Sequence, residues 1–296
     1  MSETLFKKYN IPVPRYTSYP TANSFGPFDE TDYLKAVESS NDATADNISF
    51  YIHVPFCRHL CHYCGCNSVA MAKPDRITEY FETLHKEIDL LFPHLRKDRR
   101  ISQIHYGGGS PSSMPLHFIR SINEHLLSAF ETIDRPEIAI ECHPGYLKEE
   151  DWHYLLDSGF NRFSLGIQDF NDEVLRCVNR QPALLSVETI MKILREGGAK
   201  VNFDFIYGLP KQSVSAFVST IKKAISLRPD RLVTFSYAHL PSLFKRQMIL
   251  EKAGLPSQNE KLKMFEEASK TLQAAGYVPI GMDHFVLPDD DLSVAL

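Results

Sequence analysis

The sequence predicts an α/β protein built as a partial parallel (β/α)6-type barrel, and three observations carry that expectation. Short apolar, β-rich runs alternate about six times with longer stretches of helical period. Those runs are apolar enough to be covered on both faces, as parallel strands are. Polar outliers then gather at or just after the strand ends, on the edge where a parallel barrel assembles its active site from successive loops.

Residues 1–45 contain the proline-bearing start IPVPRYTSYPT and are expected to form an arm or lid, leaving 46–296 as the barrel domain. Strands are expected at 48–54, 103–106, 137–141, 162–167, 201–207 and 232–237, with a further one at 277–281. Between them Ile77, Tyr80, Phe81, Leu84, Ile88 and Leu91 recur at three- and four-residue steps, as do Val214, Phe217, Val218, Ile221 and Ile225. These are helices packing one face inward, and Leu262, Phe265, Leu272 and Ala275 mark another. Gly159 and Gly276 follow helical patterns where a left-handed stop is wanted. The polar outliers fall at 57–66, 107–110, 141–143, Gln168, Asp204 with 207–210, and 237–239. Six loops delivering polar groups to one rim are hard to explain as packing.

With 296 residues, 43% apolar, 23% charged and one Trp, the composition is that of a soluble globular chain. A net charge of -5 argues against a general nucleic-acid partner. No apolar run approaches the roughly 20 residues of a membrane helix, and MSETLFKKYN lacks a secretory apolar core. A cytoplasmic monomer with no membrane partner is expected. In that reducing compartment clustered cysteines are more often metal-binding or catalytic than bridged. Cys142 and Cys177 stand alone and read as small buried apolar side chains.

Four of the six cysteines lie within YIHVPFCRHLCHYCGCN, residues 51–67. Cys57, Cys61 and Cys64 are spaced C-x3-C-x2-C, with Cys66 two residues on. His53, His59 or His62 could complete a zinc site. An iron–sulfur cluster suits three thiolates in one tight loop better, and three ligands on a four-iron cube leave one iron open. Cys66 is either a fourth ligand, which would close the cluster, or it is not a ligand. Gly107, Gly108 and Gly109 let a backbone approach a ligand or simply make a turn, and they lack the Lys-Ser/Thr ending of a phosphate-binding loop. Glu141 is either a surface carboxylate or an acceptor for ligand hydroxyls.

The segments PRYTSYPT, YIHVPFCRHLCHYCGCN, HYGGGSPSS, GIQDFN, VNR, DFIYGLP, YAHLP and GMDHF run in the order found in oxygen-independent coproporphyrinogen III oxidases. The chain resembles that family, within the radical S-adenosylmethionine (radical SAM) class, over nearly its whole length. The resemblance implies a [4Fe-4S] cluster on Cys57, Cys61 and Cys64, with Cys66 outside the ligand set. It implies S-adenosylmethionine on the open iron and a second copy beside the first. Tyr51 and Gly108 match contacts to the first copy, and Glu141 matches a cofactor-binding glutamate. Tyr63, Gly109, Ser110, Gln168, Arg180, Asp204 and Ala238 match contacts to the second. The implied reaction is oxidative decarboxylation of coproporphyrinogen III to protoporphyrinogen IX in haem biosynthesis, served by an electron donor of unassigned identity. Arg15 and Tyr16 of the arm are placed to meet substrate carboxylates, or belong to a bland surface arm. His53 and His284 read as structural histidines near strand ends. The family continues into a mainly helical C-terminal domain, expected to be absent or truncated in a chain ending DDDLSVAL. Related haem chaperones look similar around the cluster but typically lack the arm and the Cys66 counterpart. Two other functions stay open: a porphyrin-binding relative that does not turn over, and another radical enzyme acting on a tetrapyrrole.

Overall fold

A computed structural model describes Lys8, Thr21 and residues 24–42 and 46–295. Most of the expected arm, including Arg15 and Tyr16, lies outside the described residues. Its described part holds the helix Glu30–Ser39, which Asp29 caps by accepting the Asp32 N–H at 2.9 Å and which buries no residue. Asn41 ties this segment to the chain entering the second large strand: its Nδ2 donates to the His94 carbonyl at 2.8 Å and its Oδ1 accepts the Arg96 N–H at 2.9 Å. This part therefore sits at the N-terminal edge of the sheet, away from the rim that carries the polar loops.

The strands are β1 (Asn47–Val54), β2 (Phe56–Cys57), β3 (Val69–Ala70), β4 (Arg100–Gly108), β5 (Thr132–Cys142), β6 (Arg162–Gln168), β7 (Lys200–Tyr207), β8 (Arg231–Ser236), β9 (Val278–Ile280) and β10 (His284–Val286). Eight of them form one sheet in the order β1-β4-β5-β6-β7-β8-β10-β9. Every pairing from β1 through β8 is parallel. The sheet ends at β1 and β9, which is the open, partial barrel that the six β-α units predict.

The seventh expected strand is present as β9, but it is not another parallel unit. It pairs antiparallel with β10, which pairs antiparallel with β8. The residues between β9 and β10 are too few for a parallel crossover, and Gly281 at φ +61° makes the turn. Pro279 is tolerated because β9 is an edge strand. β10 is absent from the expected set: three residues are too short for a periodicity signal.

The outer layer follows the predicted stripes. The helix Pro74–Leu91 buries Ile77, Phe81 and Ile88, and Val214–Leu227 buries Phe217, Ile221 and Ala224. In Gln258–Ala274 the stripe is rotated by about one residue, so that Met264, Ala268 and Leu272 are buried while Leu262 and Phe265 are only half-covered. Gly159 and Gly276 take φ +89° and +90°, the left-handed helix stops expected of them. Beneath the barrel, Val201, Phe203, Phe205, Phe163 and Leu165 are completely enclosed. Among the described residues no helix is long and apolar enough to cross a membrane.

Charge closes the bottom of the sheet. Asp290 is almost fully buried; its Oδ1 accepts from Arg231 Nε at 2.7 Å and from the Leu292 N–H at 3.0 Å, and its Oδ2 lies 3.6 Å from Arg162 Nη2. Arg162 also bonds Glu137 on β5. One carboxylate thus joins the starts of β6 and β8 to the last helix, Asp291–Val294. Removing it takes the buried carboxylate from Arg231, whereas Arg162 keeps Glu137 and Asp291, so Asp290→Ala should cost about 3 kcal/mol in urea unfolding, the low end for a broken buried pair. Asp290→Asn, which keeps acceptors in place, should cost less; a loss below about 1 kcal/mol for the alanine variant would contradict this account of the network.

Candidate active site

The cysteine loop is delivered and held by backbone. β1 ends at Val54 and the chain continues through Pro55 into β2, which ends on Cys57; β3 folds back beside it, with Val69 N–H donating to Pro55 O and Met71 N–H to Cys57 O, both at 2.8 Å. The end of β4 grips the same strand, Gly109 N–H donating to Val54 O at 2.8 Å and Ser110 N–H to Phe56 O at 3.0 Å. A Cβ at Gly109 would lie 2.5 Å from the Pro55 carbonyl oxygen, and Gly108 takes φ +114° against the His53 ring. The glycine run is therefore required first by the protein itself. It lets β4 touch the segment that delivers Cys57.

Across the rim, the turn after the helix Asp172–Cys177 holds the other side of the loop. Val178 O accepts the His62 N–H at 3.0 Å, and Asn179 Nδ2 donates to Leu60 O at 3.0 Å. The segment beyond β8 supplies a third hold: Arg246 Nη2 donates to Cys64 O at 2.6 Å and Gln247 Nε2 to Tyr63 O at 3.1 Å.

Between these holds lies a cavity of about 450 Å³ at the C-terminal ends of the parallel strands. Cys57, Cys61, Cys64 and Tyr63 line it from the loop, Gly108, Gly109 and Ser110 from β4, and Glu141, Gln168, Arg180 and Asp204 from the strands and turns opposite. Two expected residues are placed elsewhere. Tyr51 is exposed outside this lining, stacked on His105 with ring centroids 5.7 Å apart and its hydroxyl 3.3 Å from His53 Nδ1, on the Gly107 side of Glu141. Ala238 lines a neighbouring cavity of about 300 Å³ that shares Tyr63, Cys64 and Cys66. His284 faces the main cavity from β10, whereas His53 is structural, its Nε2 2.9 Å from Asn67 O.

Residues 51–224, most of this rim and its strands, match the Radical SAM superfamily. The chain belongs to the radical SAM superfamily. Oxygen-independent coproporphyrinogen III oxidase of Salmonella typhimurium is 41% identical over 293 residues, 98% of this chain and 63% of the relative. The Pseudomonas aeruginosa oxidase is 40% identical over 301 residues, 98% of this chain and 64% of the relative. The solved coproporphyrinogen III oxidase of Escherichia coli, described as a radical SAM enzyme, superimposes with a TM-score of 0.89 at 39% identity, covering 99% of this chain and 66% of that one. The chain thus spans slightly less than two thirds of the length of these relatives. Membership of the radical SAM superfamily brings a [4Fe-4S] cluster and S-adenosylmethionine as cofactors.

The cavity of this radical SAM chain fits such a group. Gln168 Oε1, Asn202 Oδ1 and His143 Nε2 are buried at its wall without a hydrogen-bond partner, and buried polar atoms are seldom left so. Three thiols face one space: burial, then Cys64 and Cys61, push the Cys57 thiol up to about 11, while hydrogen bonding from Cys66 lowers Cys64 to about 6. Among the described residues no three Cys, His, Asp or Glu stand close enough to hold a single metal ion as the side chains are placed, the three loop cysteines included; they share the cavity without closing on one point. Arg180 is buried, with Nη1 3.1 Å from Tyr63 OH and 3.6 Å from Cys61 Sγ, and Nη2 donating to Gly166 O.

Sequence reasoning missed Ser164 and Asn202, although the signal was present. On β7 Asn202 and Asp204 alternate with enclosed Phe203 and Phe205, which puts both polar groups on the inner face. Ser164 stands opposite Asn202 in the register, with Asp204 opposite Gly166; the Ser164 Oγ donates to Asp204 Oδ2 at 2.8 Å, and Asn202 Nδ2 donates to Asp204 Oδ1 at 2.9 Å. Burial, partly offset by Ser164, raises Asp204 from 3.8 to about 6. A raised carboxyl stabilises the folded chain fully below about pH 4, and that contribution is lost as pH climbs through about 6, a change of about 3 kcal/mol. Denaturant unfolding of the cluster-free chain between pH 4 and 7 should show this fall, and Asp204→Asn should remove it; an unchanged pH dependence in the variant would contradict the assignment.

Proposed function

We propose that residues 46–296 form the catalytic barrel of an oxygen-independent coproporphyrinogen III oxidase, with residues 1–45 as an arm. The substrate is coproporphyrinogen III and the product protoporphyrinogen IX, through conversion of two propionates to vinyl groups. The observation that carries the proposal is the convergence of three thiols and the wall residues on one cavity, in a chain about 40% identical to enzymes bearing that name.

Cys57, Cys61 and Cys64 hold the cluster. Cys66 serves Cys64 instead, since its N–H donates to the Cys64 sulfur at 3.4 Å. When bound, the cluster and S-adenosylmethionine would supply hydrogen-atom abstraction by a 5'-deoxyadenosyl radical; each propionate-to-vinyl conversion would lose that hydrogen atom, carbon dioxide and one electron, the electron passing to a one-electron acceptor. Glu141 accepts from cofactor hydroxyls, and its distance of 3.4 Å from His105 Nε2 fixes its direction. Asp204 and Gln168 offer acceptors to cationic or hydroxyl groups, Arg180 offers a cation beside Cys61, and the glycine-lined end of β4 brings backbone close. Tyr51, Tyr63, Gly108, Gly109, Ser110 and Ala238 complete the cofactor surface. The chain acts as a cytoplasmic monomer with a separate electron donor.

Anaerobic reconstitution with iron and sulfide, then reduction with S-adenosylmethionine and coproporphyrinogen III, tests this directly. Deoxyadenosine and vinyl product should form together, and Cys57→Ala, Cys61→Ala and Cys64→Ala should each abolish both while Cys66→Ala retains iron. Absence of deoxyadenosine would remove the radical chemistry. Deoxyadenosine without vinyl product would remove the substrate assignment.

A further inference from the structure

Gln168 is held in a conformation that its side chain does not favour. Its φ is +67°, the left-handed region where glycine is at no disadvantage and other residues are strained. Asp169 N–H donates to Ile167 O at 2.9 Å, closing a three-residue turn around Gln168. The register between β6 and β7 shifts between Gly166 and Gln168, so the strand end is also bulged. The outcome is that Gln168 faces the cavity with a buried, unpartnered Oε1.

What keeps the turn is the next residue. Asp169 is 3% exposed, and its carboxylate makes no use of the cavity. Oδ1 accepts from Thr220 Oγ1 at 2.7 Å and from the Asn171 N–H at 3.0 Å, and Oδ2 accepts from Gln212 Nε2 at 2.7 Å. Gln212 is itself fixed: it donates to Ile206 O at 2.8 Å and its Oε1 accepts the Leu209 N–H at 2.9 Å. Asp169 therefore fastens the end of β6 to the loop after β7 and to the helix Val214–Leu227. Strained backbone persists only where its surroundings over-determine it, and such strain gathers at sites that need a fixed side chain. We infer, building on the cofactor site proposed above, that Asp169 is a positioning residue: its buried hydrogen bonds to Gln212, Thr220 and Asn171 hold Gln168 in the left-handed turn that aims its amide at S-adenosylmethionine.

The inference separates a residue that aims from one that merely stabilises. Binding of S-adenosylmethionine to anaerobically reconstituted protein is followed by equilibrium dialysis, alongside the melting temperature of the cluster-free chain. Gln168→Ala identifies the binding phase that Gln168 serves. Asp169→Asn, which turns one acceptor into a donor facing donors, should weaken that phase at least tenfold with iron and sulfide content unchanged. Gln168→Gly should weaken it comparably while the melting temperature holds or rises, because glycine relieves the turn. The double variant Gln168→Gly/Asp169→Asn should bind no more weakly than Gln168→Gly alone, since Asp169 acts through Gln168. Should Asp169→Asn fail to fold, Thr220→Val removes one donor and should give a smaller weakening of the same phase. Additive losses in the double variant, or an Asp169→Asn protein (Thr220→Val where it stands in) with lowered melting temperature but wild-type binding, would overturn the inference. No change in any phase with Gln168→Ala would instead overturn the proposed role of Gln168, and the inference with it.

Discussion

The guanidinium of Arg180 is the interaction on which the site depends. It is buried, and it joins the carbonyl of Gly166 on β6 to the hydroxyl of Tyr63 and the sulfur of Cys61 in the loop. A buried cation is costly unless an anion lies close by. Burial pushes the Tyr63 hydroxyl well above its ordinary value, and the Gly166 carbonyl is neutral, so neither of these partners supplies a counter-charge. In the cluster assignment proposed above, iron would be bound by cysteine thiolates, and Cys61 would then give Arg180 its anion. The same side chain braces the loop from the β6 side. Gly166 is constrained in turn, because a Cβ there would lie 2.6 Å from Arg180 Nη2.

The rest of the molecule makes this contact possible by separating two tasks on each strand. Outward residues such as Phe203, Phe205 and Leu165 are enclosed by helices and fix the sheet; inward ones such as Ser164, Asn202 and Asp204 are free to serve a ligand. Three holds then fasten the cysteine loop from β4, from the turn at 178–180 and from the segment beyond β8. Most of these bonds engage the loop's backbone rather than its thiols, so much of the loop's path is set without the cysteine side chains.

Much of this was legible in the sequence where a signal repeats. Six parallel strands and the helical stripes of Ile77, Phe81 and Ile88 follow from periodicity, and the cysteine spacing marks the site. What stayed hidden has physical reasons. β10 is three residues long, and its antiparallel pairing depends on a turn rather than on pattern. The glycines at 107–109 read as either a ligand approach or a simple turn; that Gly109 is also required by a backbone contact with Pro55, far away in sequence, is something no local spacing reveals. Tyr51 and Ala238 were assigned to the cofactor surface by resemblance; they stand outside the main cavity lining, Tyr51 on the Gly107 side of Glu141 and Ala238 in the neighbouring pocket that shares Tyr63 and Cys64. Asp169 has no local signal because its partners are 43 and 51 residues away.

The placement of Arg180 beside Cys61 can be read in the midpoint potential of the reconstituted cluster. A buried positive charge beside a ligating sulfur stabilises the reduced, more negative state. Arg180→Gln should therefore lower the potential by tens of millivolts with iron content retained, and Arg180→Lys should keep most of the wild-type value. An Arg180→Gln cluster at the wild-type potential would contradict the account.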